Sequence, residues 1–251
     1  MTDTALAPPF GVFVRESAAE LRKSLRLPQF ALPTIVTPAV FYGLFAVAMN
    51  KAGPEAAAYS LAGFGVFAAT GPALFGFGAG VAVERDTGLI ELKRVSPLPA
   101  GAYVTAKLVS AAAMAAIALV LIYALALVGG VRLSASGWAA LLAIHLLAVV
   151  PFALIGFAVG MRLNAKGAIA AANALYLGFS IVGGLWMPIT MLPPWMQHVA
   201  WITPSFHLGQ MGLWAIGMPS QGSLAAHLAS LAAITAAAAW LAISGWRRSP
   251  A

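Results

Sequence analysis

The chain has 251 residues, no cysteine, 61% hydrophobic and only 8% charged positions, and a formal net charge of +7; its mean hydropathy is +0.91. That apolar share exceeds the roughly 45–50% of soluble domains, so a water-soluble fold is excluded, and the missing cysteines exclude disulfides, thiolate metal sites and cysteine nucleophiles. The bases stand at the ends of apolar runs and form no cluster, which is the positive-inside pattern of an integral membrane protein and offers no nucleic-acid site.

In chain order, residues 1–9 read as a flexible tail without the order of a cleaved signal peptide, since Asp3 precedes any base. Residues 10–28 predict an amphipathic interfacial helix. Val14, Ala18, Leu21 and Leu25 share one side and Arg15, Arg22, Lys23 and Arg26 the other, so the helix lies in the headgroup plane with its bases toward anionic lipid. Pro28 and Pro33 are expected to break it. Residues 29–248 then read as a single transmembrane domain whose spans are 31–49, 58–83, 104–128, 138–161, 168–189 and 222–246. Gly71-Pro72 should kink the second span and Pro151 the fourth, and Gly76-x-x-x-Gly80 offers a smooth face to a neighbouring helix.

Six spans put both termini on one side. That side carries Arg15, Arg22, Lys23, Arg26, Arg85, Lys93, Arg94, Lys107, Arg162, Lys166, Arg247 and Arg248, against Lys51 and Arg132 opposite. The asymmetry predicts cytoplasmic termini and a plasma-membrane (inner-membrane) location. The segment 190–221 lacks Lys, Arg, Asp and Glu yet is rich in Trp, Met and Pro. Two short helices, over 194–201 and 204–216, are expected there, dipping into the outer leaflet under cover of protein or lying on its surface.

Enzyme chemistry finds no support. No Lys follows a Gly as a phosphate-binding loop requires, His145, His198, His207 and His227 make no metal-binding pair at i, i+4, and Gly-x-Ser-x-Gly is missing. No apolar run carries a carboxylate for a proton relay. His145, inside a span, reads as a substrate ligand or as a neutral imidazole bonded to a neighbouring helix, and Asn173 as a bridge between helices. No metal site is expected.

The charged stretch 84–107 separates spans two and three. Gly88 is free to take a left-handed turn, and 89–95 predicts two helical turns stopped by Ser96-Pro97. Leu89 and Leu92 share a face while Glu91, Lys93 and Arg94 present charge. From the residues alone, this is either a solvated connector or a rigid element that transmits force.

Glu84-Arg85-Asp86-Thr87-Gly88-Leu89-Ile90-Glu91-Leu92, then Ser96-Pro97 and Ala106-Lys107, resembles the stretch joining spans two and three in ABC-2 transporter permeases. Asn173, Gly183-Gly184, Pro188, Pro193-Pro194-Trp195 and Pro204 resemble that family's fifth span and outer re-entrant helices. Leu89 replaces a Thr and Ala106 a Gly. The resemblance implies an all-α membrane fold with a cytoplasmic coupling helix between spans two and three and extracellular re-entrant helices between spans five and six. It implies a permease, itself no enzyme and binding no cofactor, that pairs with a second copy and with two ATPase subunits which use ATP and magnesium. Coupling to the ATPase would fall to Glu84, Arg85, Gly88, Leu89, Glu91, Leu92, Arg94, Ser96 and Pro97. The substrate path would include Phe41, Phe64, Asn173, Phe179 and Trp186, and the outer gate Pro188, Trp195 and Pro204. An apolar path favours export of a drug, antibiotic or lipid-like compound; polysaccharide or lipid-linked glycan export and a non-transporting scaffold for an ATPase are the alternatives.

Overall fold

The computed structural model describes residues 9–49, 52–96 and 98–248, whose only regular elements are helices, without a strand. Most of the expected tail lies outside them. α1 (Pro9–Leu25) leads to α2 (Pro28–Phe41), which widens into a π-helix over Tyr42–Ala48. α3 (Pro54–Phe77) and α4 (Ala79–Asp86) form one long rod, and α5 (Leu89–Val95) is a short separate helix. α6 (Ala100–Val128) is unbroken, while α7 (Ala135–Leu147) and α8 (Val149–Gly160) share a rod. α9 (Ala165–Val182), a 3-10 turn (Ile189–Met191), α10 (Pro194–Ala200), α11 (Pro204–Ala215) and α12 (Leu224–Arg248) complete the chain. Six of these rods are long and apolar enough to cross a bilayer.

The core is built around α3, almost wholly buried from Ala57 to Leu74 and packed by α2, α6, α8 and α11. Small residues make that position possible, because helices in lipid associate by close packing more than by hydrophobic drive. A Cβ on Gly63 would lie 2.2 Å from the Leu185 carbonyl oxygen, and one on Gly65 would lie 2.0 Å from the His145 ring.

Several local expectations change. Pro33 does not end a helix: it sits inside α2, and the break falls before Pro28, which starts α2 where a missing N–H costs nothing. Pro72 lies inside α3, which runs on to Phe77, and the second rod is interrupted at Gly78. Within the chain the closest glycine approach lies elsewhere. A Cβ on Gly76 would touch nothing, whereas Cβ atoms on Gly156 and Gly160 of α8 would come 2.9 Å from the Leu74 oxygen and 2.6 Å from the Gly78 oxygen. Backbone therefore meets backbone where Gly156-x-x-x-Gly160 crosses the α3–α4 break. The fourth rod does interrupt near its proline, at Ala148, three residues ahead of Pro151. Span five is shorter than expected: α9 ends at Val182, and Gly184, with φ +67°, turns the chain back onto α3.

Candidate functional site

One end of the bundle carries a buried charge network. Glu16, Glu20 and Ser24 recur every fourth residue along α1 and so share a face, and that face packs on α6. Glu16 accepts from Lys93 at 3.1 Å, Glu20 from Lys107 at 2.8 Å, and Ser24 bonds Ser110 at 3.1 Å. Glu84, buried at the end of α4, accepts from Lys107 at 3.0 Å, from Lys23, and from the Tyr103 hydroxyl at 2.6 Å. Burial works against the charge of Glu20, but Lys107 and then Lys23 outweigh it and hold this carboxyl below its usual range. Burial also opposes the Lys23 charge; Glu84 and Glu20 overcome it and raise that ammonium. Two carboxylates thus face two ammonium groups, and Lys93 and Lys107 both sit about 5 Å from the Tyr103 ring centre.

Val14, Leu25 and Phe10 of α1 stay exposed, which leaves an apolar side uncovered by the chain. The sequence reading assigned the lipid and solvent sides but missed the Glu16–Glu20–Ser24 stripe between them. Acids at i, i+4, with two lysines one hinge away, were the available signal.

Glu84 and Arg85, both expected to serve coupling to the ATPase, point into the protein. The Arg85 guanidinium donates to the carbonyls of Gly160 and Leu163 and to Asp86. It thereby satisfies the end of α8, whose last carbonyls lack helical donors. Asp86 accepts from the Ala165 amide at 2.7 Å, fixing the start of α9. Gly88 has φ +75°, and α5 begins after it. Within α5, Ile90 is buried as an anchor, while Leu92 and Val95 are 64% and 84% exposed and Leu89 borders exposure. Glu91 leaves one buried oxygen without a hydrogen-bond partner, and Ser96 closes the helix by donating to the Lys93 carbonyl at 2.8 Å. Pro97 and the Arg94 side chain lie outside the described residues.

Beside the network opens a cleft of about 760 Å³ between α1, α2, the α3–α4 rod and α9. Glu20, Lys23, Glu84 and Lys107 line one part, and Phe30, Pro33, Phe75, Val83 and Ile169 the rest. Asn173 lies on its wall with its amide bonded to the Ile169 carbonyl of its own helix, so it bridges no helices. Phe41, Phe64 and Trp186 gather around Phe67, with ring centres 6.4, 6.4 and 5.3 Å from it. Tyr176 stacks on Phe67 at 4.5 Å. Phe67 and Tyr176 were not singled out beforehand, although both stand on expected spans. Phe64 is fully buried against Tyr42, and Phe179 pairs with Phe152. The Tyr176 hydroxyl and the Trp186 indole N–H are buried without a hydrogen-bond partner.

His145 is a bonded imidazole. Its Nε2 donates to the Ala62 carbonyl at 3.2 Å and its Nδ1 accepts from the Tyr123 hydroxyl at 2.9 Å. At the opposite end of the bundle, Pro188 precedes the 3-10 turn, exposed Trp195 stands on α10, and Pro204 starts α11 under a Thr203 cap. α11 is buried from Pro204 to Leu213 among α3, α7, α9 and α12. Its 12 residues extend about 18 Å, a little over half a bilayer core. Among the described residues no group of three or more metal-ligating side chains exists.

A family model for ABC-2 type transporters matches residues 13–216. The protein of Bacillus subtilis (strain 168) named "Putative transport permease YvfS" is 27% identical over 209 residues, covering 82% of this chain and 85% of that one. The matched range takes in the charge network, α5, the cleft and α11, and ends before α12.

Proposed function

Because the chain belongs to the ABC-2 type transporter family, we propose that it is the permease of an ATP-driven exporter for an amphipathic compound with a polar end and an apolar body. The cleft carries this reading: charge and amide groups line one part and aromatic and aliphatic side chains the rest, and it opens between rods that would border a bilayer. A molecule with both characters loses least on leaving the inner leaflet for such a wall. The unpartnered Tyr176 hydroxyl and Trp186 N–H would then meet acceptors of the compound further along.

The ATPase subunit would dock on α5. Leu92 and Val95 project from a helix anchored by Ile90 and braced by the Lys93–Glu16 pair, an arrangement that passes a push to α1 and to spans two and three. Glu84 and Arg85 would serve this coupling by positioning, through the network and the α8–α9 turn. A second copy would close the cleft, with both termini cytoplasmic and α10–α11 forming the outer gate. ATP binding in the partner shifts the permeases between inward and outward states only as far as its affinity differs between them.

The test is co-purification with a candidate ATPase subunit, followed by hydrolysis and transport assays in vesicles. Amphipathic compounds should stimulate hydrolysis and accumulate inside inverted vesicles. Hydrolysis indifferent to every compound would point to a scaffold, and stimulation by glycans alone would reassign the substrate.

A further inference from the structure

The turn from α11 into α12 closes over two imidazoles that the reading above leaves unused. His207, in the first turn of α11, and His227, in the first turn of α12, are buried and face each other Nδ1 to Nδ1 at 2.9 Å. The far nitrogen of each ring is committed. His207 Nε2 lies 2.9 Å from the Trp201 carbonyl oxygen, and His227 Nε2 makes a short bond to that of Gln221. A carbonyl oxygen only accepts, so both Nε2 atoms carry hydrogen.

Two neutral rings would then each keep a lone pair on Nδ1, and those lone pairs would be pressed together at hydrogen-bonding distance. One further proton resolves the conflict, carried on one Nδ1 and accepted by the other. We infer that His207 and His227 form a proton-binding site, an imidazolium–imidazole pair with one net positive charge that fastens α11 to the start of α12 when occupied.

The surroundings suit a buried cation. Trp201 stacks on His227 with ring centres 5.7 Å apart and planes 15° apart, and Phe206 sets its edge or face to both imidazoles at 5.4 and 5.7 Å. Gly222, at φ +77°, keeps the turn tight, since a Cβ there would lie 2.9 Å from the Trp201 ring. A bridging metal does not fit, because zinc bonds of about 2.0–2.1 Å set two nitrogens about 3.3 Å apart, and no third ligand stands nearby among the described residues.

The titratable groups on the packed elements are few. α10 brings His198, whose ring bonds the Pro194 carbonyl. α3 brings Glu55 and Tyr59, α7 His145, and α9 Lys166 and Tyr176, while the lower end of α12 brings Arg247; none of these has a described bond to the pair. Burial, first of all, pushes His207 down, whereas a hydrogen held between the two Nδ1 atoms favours the charged form. Which medium supplies the proton rests on the orientation proposed above, which puts this end outside.

Long-range proton–nitrogen NMR on the full chain in lipid nanodiscs, with ¹⁵N-histidine, counts ring hydrogens from about pH 5 to about pH 9. His207→Gln and His227→Gln assign the signals. Three hydrogens on the pair at the acid end are expected, with one lost as pH rises. Amide protection of 216–228 should fall with that loss beyond the intrinsic rise in exchange, and neither variant should show the step. Two neutral rings throughout, or a titration that leaves protection unchanged, would overturn the site. The wild-type spectrum decides even where a variant fails to fold. No transport is measured, so the result stands or falls apart from the exporter reading.

Discussion

Glu84 and Lys107 form a salt bridge over which the bundle has closed, with side chains 7% and 3% exposed. Removing one partner of such a pair leaves the other charged and desolvated, which costs about 3–5 kcal/mol. Lys107→Met should therefore lower unfolding stability in detergent by about 3 kcal/mol, whereas Lys107→Met with Glu84→Leu should recover part of that loss. A double variant that falls by the sum of the two single losses would show that the pair is not coupled. The pH dependence has a definite sign. Glu20 is held below its ordinary value of 4.5, so docking of α1 gains stability above that value and loses it as pH falls through the lowered one. Gly65 makes a second test, since a methyl there runs into the His145 ring, itself fixed by two hydrogen bonds. Gly65→Ala should cost about 2 kcal/mol by overpacking, read as a lower midpoint in thermal unfolding. Neither site was fully legible beforehand. The hinge charges announced themselves by standing between apolar runs, but hydropathy does not tell a carboxylate in water from one turned inward onto Lys23 and Lys107.

α5 is the element on which the ATPase proposal turns, and its residues separate fold from coupling. Leu92 is mostly exposed, so Leu92→Asp should change folding by no more than about 0.5 kcal/mol while abolishing ATP-driven transport and retention of the ATPase on a column. Ile90 is buried, so Ile90→Asp should instead destabilise the protein. If Leu92→Asp transports normally, α5 is only a connector. The brace to α1 can be probed by reversal: Glu16→Lys should weaken coupled transport, and Glu16→Lys with Lys93→Glu should restore much of it. The range of α5 was readable because Gly88 and Ser96-Pro97 punctuate it. The breaks in the rods were not, because Pro33 and Pro72 lie inside helices whose neighbours hold them in place, while Gly78 yields to the backbone of α8. Proline marks where a helix loses a bond, and packing decides where it bends.

For the whole molecule, six spans were legible from run length alone, since a bilayer fixes how many apolar residues a crossing needs. What a single chain does not display is how its cleft is closed. The cleft wall includes Gly76, whose added Cβ would meet nothing within 4 Å, and Asn173 across from it. If a second copy covers this face, Gly76 of each copy stands near the other. The absence of cysteine makes the measurement clean, because Gly76→Cys introduces a lone thiol. In native membranes a short bifunctional thiol reagent should join Gly76→Cys chains into dimers, and added ATP should change the yield as the cleft opens and shuts. Val120→Cys, on the exposed side of α6, should stay monomeric under the same treatment. Equal cross-linking at both positions would indicate random collision in the bilayer. Labelling of Val120→Cys alone would move the pairing face to α6 and leave the cleft open to lipid, so the route for an amphipathic compound would have to run along one permease instead of between two.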